Sequence, residues 1–195
     1  AKVITIEDTR EWYYSKLKPE ADGIELITSE KEDYTQLIKT SVRLNPGRIM
    51  LAETRSAEAA ELLEAWSTGM KGITTLHTDD LRNVPDRFLN MMNCVGSKSH
   101  ENNIYDYLDA AVLIKAAKNA DGTYTRYIDQ IAYYERDRDE KKITFIVEDG
   151  QRTDEEIPDY IRKKFSDELI SNPYVLDNDL KEKAKYYEGK KEKKE

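Results

Sequence analysis

The chain has 195 residues, 38% of them hydrophobic and 36% charged, so one modest core carries a heavily charged surface. Its 31 Lys and Arg against 39 Asp and Glu give a net charge of −8, which argues against diffuse binding to nucleic-acid phosphates, because that affinity comes mostly from cations. No apolar run approaches the roughly 20 residues of a spanning helix, and the one cysteine, Cys94, permits no internal disulfide and favours a reducing compartment.

Residues 1–6 read as a β-strand rich in β-branched side chains, without a preceding cap or linker. So abrupt an opening predicts an excised piece of a longer chain or a truncated open reading frame. The strand runs into Glu7, Asp8, Thr9, Arg10 and Glu11. Pro19 and Gly23 mark turns, and residues 23–27 form a short strand. Tyr34, Leu37, Ile38 and Val42 recur at helical spacing, which predicts a helix over 33–44 stopped by Asn45-Pro46-Gly47. Residues 48–52 are a short apolar strand ending at Glu53. Residues 57–66, rich in Ala, Leu and Glu, predict a helix closed by Thr68-Gly69. A strand over 72–77 and one helix over 80–95, with Pro85 in its first turn, come next. Strands over 110–115, 124–135 and 142–147 follow, the first two joined by a hairpin turn at 119–122. A helix over 158–170 comes last, before a charged tail over 176–195 that predicts disorder. Strand and helix alternate in the first half as in a parallel α/β sheet, and the second half adds an antiparallel meander.

Three strands of the first half end in groups able to do chemistry: Glu7 to Glu11, Glu53-Thr54-Arg55, and Thr75-Leu76-His77. Ligands of open α/β sheets bind beyond the carboxyl ends of the strands, so three such ends within 77 residues suggest one site. Each piece alone has a bland reading: an acidic cluster caps a helix, a lone Glu is uninformative, and a lone His is structural or exposed. A zinc hydrolase built on Glu7, Asp8, Glu11 and His77 would be poorly furnished, with a single imidazole. Tyr124, Tyr127, Tyr133 and Tyr134 on the meander read as cross-strand packing rather than base stacking, given the acidic balance. Trp12 and Trp66 read as core or interface anchors, and Cys94 as packing on an amphipathic helix.

The segment Ile4-Thr5-Ile6-Glu7-Asp8-Thr9-Arg10-Glu11 resembles the acidic "Asp box" of the type II/type IV secretion ATPases, the hexameric motors of conjugation, protein secretion and pilus assembly. The stretch 42–59, with Arg48-Ile49-Met50-Leu51-Ala52-Glu53-Thr54-Arg55 at its centre, resembles their Walker B segment. Thr68 to His77 resembles their "His box". A weaker match continues through the strands up to residue 147. The sequence departs from the family's pattern at Asn45, Gly47, Ala52 and Met70, which flank the chemistry. It also contains no G-x-x-x-x-G-K-[ST] loop, the element that cradles the phosphates of a nucleotide.

The resemblance implies the C-terminal part of a RecA-like α/β P-loop ATPase domain over residues 1–175, with a mostly parallel sheet flanked by helices. It implies ATP and Mg²⁺. Glu53, Glu11 and Glu7 would be catalytic, Glu53 in the Walker B role and Glu11 the likeliest direct participant of the Asp box. His77, Arg55, Asp8 and Thr75 would face the nucleotide, and Glu53, Glu11 and Asp8 the metal shell. Arg10 and Arg43 are candidates for subunit-interface charge or for ordinary surface ion pairs. The implied parent is a homohexamer on the cytoplasmic face of a membrane, docked on an inner-membrane secretion or pilus platform, without direct nucleic-acid binding. The alternative is a non-catalytic, P-loop-less module that binds such a motor or its platform.

Overall fold

Five consecutive buried residues, Val3–Glu7, form strand β1 inside a four-stranded parallel sheet of order β2-β1-β3-β4. A computed structural model describes residues 1–167, which belong to two units, residues 1–155 and residues 156–195. The other strands of this sheet are β2 (Gly23–Ile27), β3 (Arg48–Leu51) and β4 (Lys71–Thr74). Every pairing is parallel, with Ile6 opposite Leu26 and Leu51, and Leu51 opposite Thr74. All four strands therefore present their carboxyl ends along one edge. The chain moves outward from β1 to β2 and then crosses back over β1 to β3, so the direction of winding reverses between β1 and β3.

Helix α2 (Tyr34–Arg43) starts at Asp33, whose Oδ1 accepts the Gln36 N–H at 2.9 Å, a side-chain cap on an otherwise orphan donor. It buries Tyr34, Leu37 and Ile38 against Ile4, Ile6, Ile49 and Leu51. Its stop signal acts through Asn45, which takes the left-handed conformation (φ 51°) and donates its N–H to Val42 O at 3.2 Å. Helix α3 (Glu58–Ser67) turns Leu62 and Ala65 toward that core, and Ala59 and Leu63 toward a second one. Trp66 packs against both, its ring 6.4 Å from that of Phe88.

The second core lies between α3, α4 (Val84–Met91), α5 (Lys98–Tyr107) and a four-stranded antiparallel sheet, β5 (Ala110–Lys118), β6 (Tyr124–Asp137), β7 (Glu140–Glu148) and β8 (Gln151–Arg152). Leu81, Val84, Phe88, Ile104, Ala132, Tyr134 and Phe145 fill it. Tyr133 and Tyr134 are buried, with the Tyr134 hydroxyl donating to Leu81 O at 2.7 Å, whereas Tyr124 and Tyr127 lie on the exposed outer part of the β5–β6 hairpin.

One expected helix is divided. Residues 81–83 form a 3₁₀ turn, α4 ends at Met91, and Asn93 and Gly96 at positive φ redirect the chain into α5, so Cys94 sits in a turn. Helix α5 was not expected from the sequence, because it buries only Ile104 and so shows almost no apolar periodicity. Nor was the four-residue helix α1 (Tyr14–Leu17). In the second unit, α6 (Asp159–Asp167) begins where a helix was expected, and Arg162 donates to Ile157 O at 2.8 Å and Glu156 Oε2 at 2.9 Å. Residues 168–170 of the expected helix and the charged tail lie outside the described residues. Among the described residues no helix is long and apolar enough to cross a membrane.

Candidate functional site

The ends of β1, β3 and β4 lie side by side at the point where the winding reverses, which is where a doubly wound sheet leaves a crevice. Backbone ties hold them in register past the strands themselves. Ala52 N–H donates to Ile6 O at 2.9 Å, and Thr54 N–H to Thr75 O at 2.8 Å. The Thr75 hydroxyl donates to Ala52 O at 2.6 Å, and the hydroxyls of Thr54 and Thr74 share a hydrogen bond at 2.8 Å. These bonds carry Asp8, Glu53, Arg55 and His77 to one place.

Their side chains form a chain of charge. Arg55 Nη2 donates to Asp8 Oδ2 at 3.2 Å, and Nη1 donates to Glu53 Oε2 at 3.4 Å. The other oxygen of Glu53 lies 3.1 Å from His77 Nε2. Glu53 is thus engaged on both oxygens while its side chain stays 25% exposed, enough to meet a ligand or water. His77 is almost wholly exposed, and so reaches furthest into solvent. Beneath the cluster, the Arg55 guanidinium stands over the Tyr34 ring at 6.0 Å. Burial and the nearby Asp8 charge push the Tyr34 hydroxyl up to about 12, so it stays protonated across the physiological range.

Glu7 stands apart from the cluster. It is fully buried, and its Oε1 accepts the N–H groups of Glu11 at 3.0 Å and Trp12 at 2.9 Å, so one oxygen holds the loop that displays Asp8. Its Oε2 is buried without a hydrogen-bond partner among the described residues. Glu11 is exposed, and its side chain makes no hydrogen bond or ion pair among the described residues. Arg10 pairs with Glu25 at 3.3 Å, away from the cluster.

Two contributors were not among the residues expected at the site. Glu58 is buried at the start of α3 and accepts the N–H groups of Arg55 and Ser56. Tyr34 forms the floor under Arg55. The signal for Glu58 was an acid in the first turn of a helix. Tyr34 read only as one more apolar position of α2.

Among the described residues no group of three or more His, Cys, Asp and Glu side chains could by itself hold a metal ion. Magnesium seldom uses such a cage; it keeps waters and substrate phosphates and takes one or two carboxylates from the protein. The donors present fit that habit: Glu53 and Asp8 are partly exposed, and Glu7 Oε2 is a buried acceptor that no donor meets among the described residues.

Residues 1–118 match the family described as Type II/IV secretion system protein. The chain is similar to an uncharacterized protein of Bacillus anthracis, with 32% identity over 144 residues that cover 68% of this chain and 33% of that protein. It is also similar to the conjugal transfer protein TrbB of Rhizobium radiobacter, with 35% identity over 79 residues, 40% of this chain and 23% of that protein. The chain therefore spans about a third or less of the length of these relatives. In fold it resembles the VirB11 ATPase of the Brucella suis type IV secretion system, crystallised with sulphate. The TM-score is 0.59 at 24% identity, over 68% of this chain and 40% of that one.

Proposed function

Because the chain belongs to the type II/IV secretion system protein family, we propose that it supplies the Walker B, Asp-box and His-box side of a nucleotide site in a secretion or conjugation motor ATPase. The observation that carries this reading is the convergence of Asp8, Glu53, Arg55 and His77 beyond three adjacent parallel strands at the reversal of winding. The substrate is ATP, and the reaction is transfer of its terminal phosphoryl group to water. In this reading a phosphate-cradling loop, which the 195 residues do not contain, is supplied by another segment of the complete protein.

Phosphoryl transfer asks the protein chiefly for positioning and for charge stabilisation. Glu53 orients the attacking water and takes up its proton, released for that task when Arg55 or His77 turns toward the phosphates. Arg55 offers positive charge, and His77 a hydrogen bond, to the transferring group. Thr75 fixes the segment that leads to His77 against Ala52, and Glu7 fixes the loop of Asp8 and Glu11. Glu11, free of side-chain partners among the described residues, is available to a nucleotide or water at the loop's surface. Glu53 and Asp8 are the carboxylates that would face a magnesium ion bound with the nucleotide, which would neutralise phosphate charge. The complete protein works as a homohexamer on the inner face of a membrane, against an inner-membrane platform.

The test is Glu53→Gln in the complete protein. Glutamine keeps the size and one acceptor oxygen but cannot accept the proton. Turnover is expected to fall by a factor on the order of 10²–10⁴, while affinity for a fluorescent nucleotide stays within a few-fold. Near-normal hydrolysis by this variant would remove Glu53 from the mechanism and with it the Walker B reading of residues 48–55, whereas absence of hydrolysis by the unsubstituted complete protein would favour a binding module.

A further inference from the structure

We propose that Glu58 is a positioning residue that sets Arg55 between Asp8 and Glu53, an inference that rests on the function proposed above. Glu58 opens α3 and is only 6% exposed. Its Oε1 accepts two successive main-chain donors, the N–H of Arg55 at 2.7 Å and that of Ser56 at 2.9 Å. A carboxylate taken this far out of water persists only where hydrogen bonds replace its hydration. Two donors on one oxygen also fix the direction in which the chain leaves β3, because residue 55 cannot turn without breaking one of them.

That constraint matters for Arg55 in particular. Its side chain is 54% exposed, so packing does little to hold it. A long exposed side chain bridging two carboxylates loses rotamer freedom, which usually cancels much of the Coulomb gain. A fixed root leaves fewer rotamers to lose. The loop after β1 is built the same way, with Glu7 Oε1 holding the N–H groups of Glu11 and Trp12. The loops after two adjacent strands thus each hang from a buried carboxylate, and the Arg55–Asp8 pair spans them at 3.2 Å. A site whose charges must meet a transferring phosphoryl group gains from this rigidity. If Glu58 served only the start of α3, its loss would lower stability and leave turnover per folded molecule unchanged.

A double-mutant cycle in the complete protein separates the two roles. Glu58→Ala is expected to lower turnover about tenfold with nucleotide affinity within about threefold. Glu58→Gln should recover most of that loss, since its amide oxygen can still accept both N–H groups. Arg55→Ala should lose at least as much as Glu58→Ala, and adding Glu58→Ala to it should cost nothing further. Equal losses from Glu58→Ala in both backgrounds, an Arg55→Ala variant with normal turnover, or a lower Tm with turnover intact would each overturn the proposal. Hydrogen exchange at the Arg55 and Ser56 amides gives a readout independent of activity: slow in the unsubstituted protein and at least about tenfold faster in Glu58→Ala. Fast exchange in both overturns the anchor. A complete protein without nucleotide turnover would overturn the function proposed above, and slow amides released by Glu58→Ala would still uphold the anchor.

Discussion

Gly72 shows how closely single residues near the site are fitted. A Cβ there would lie 2.4 Å from Trp66 Nε1 and 2.5 Å from Ile49 O. Trp66 is pinned between two cores and Ile49 O belongs to the neighbouring strand β3, so neither can retreat cheaply. Gly72→Ala is expected to cost about 1–3 kcal/mol by overpacking. The measurement is the urea midpoint, which should fall with no change in m; an unaltered midpoint would mean that β4 and Trp66 separate freely. The carboxylates divide by the same local logic. Glu7 and Glu58 spend an oxygen on backbone donors inside the protein, whereas Asp8 and Glu53 keep theirs at the surface, on Arg55 and His77.

Between β1 and β2 the chain makes only one short helix, α1, and that helix is tied down by a side chain from the strand that follows. Glu25 on β2 accepts the Ser15 N–H at 2.9 Å and pairs with Arg10 at 3.3 Å. The Ser15 backbone bond, aided by Arg10, holds the Glu25 carboxyl below its ordinary value. A depressed carboxylate adds stability that is fully present above the unfolded-state pKa and is lost as pH falls through the folded one. Glu25→Gln should therefore melt below the parent chain at about pH 7, and the gap should close as the pH falls below about 4. Thermal midpoints across that range decide it, and a gap that stays constant would show that the glutamate's charge is irrelevant. The outer half of the β5–β6 hairpin is the opposite kind of element. Ile114, Tyr124 and Ile128 are exposed there, and the ladder stands on its own backbone pairing.

At the scale of the molecule, the function proposed above makes the cluster one side of a nucleotide pocket. It offers carboxylates, a guanidinium and an imidazole, but no glycine-rich turn with a lysine to hold phosphates. The purified 195-residue chain is therefore expected to release phosphate from magnesium-ATP at no more than the buffer rate. Turnover above background that Glu53→Gln abolished would show that the chain carries a complete site. The chain spans 33% and 23% of the length of its two relatives above, which leaves room in them for such a loop outside the matched segment.

The parallel sheet was legible because its strands announce themselves locally. Residues 1–6 and 48–52 are short apolar runs, and Asn45-Pro46-Gly47 and Thr68-Gly69 stop the helices between strands. Strand ends rich in Asp, Glu, Arg and His could likewise be read directly. Helix α5 could not, since it buries only Ile104, and neither could the break at Asn93 and Gly96 that divides α4 from it. Nor does any local pattern say which carboxylate faces inward. Glu7 and Asp8 are adjacent in the chain, yet one is buried under a loop and the other reaches Arg55 across 47 positions. The sequence by itself determined the strands, their polar ends and the residue types beyond them, because hydrophobic runs and turn residues act over a few positions. The pairing of Asp8 with Arg55, the two-sided hold on Glu53 and the anchoring by Glu58 were decided by the tertiary structure alone, because each depends on β1, β3 and β4 lying side by side, and strand order is set by packing between distant segments.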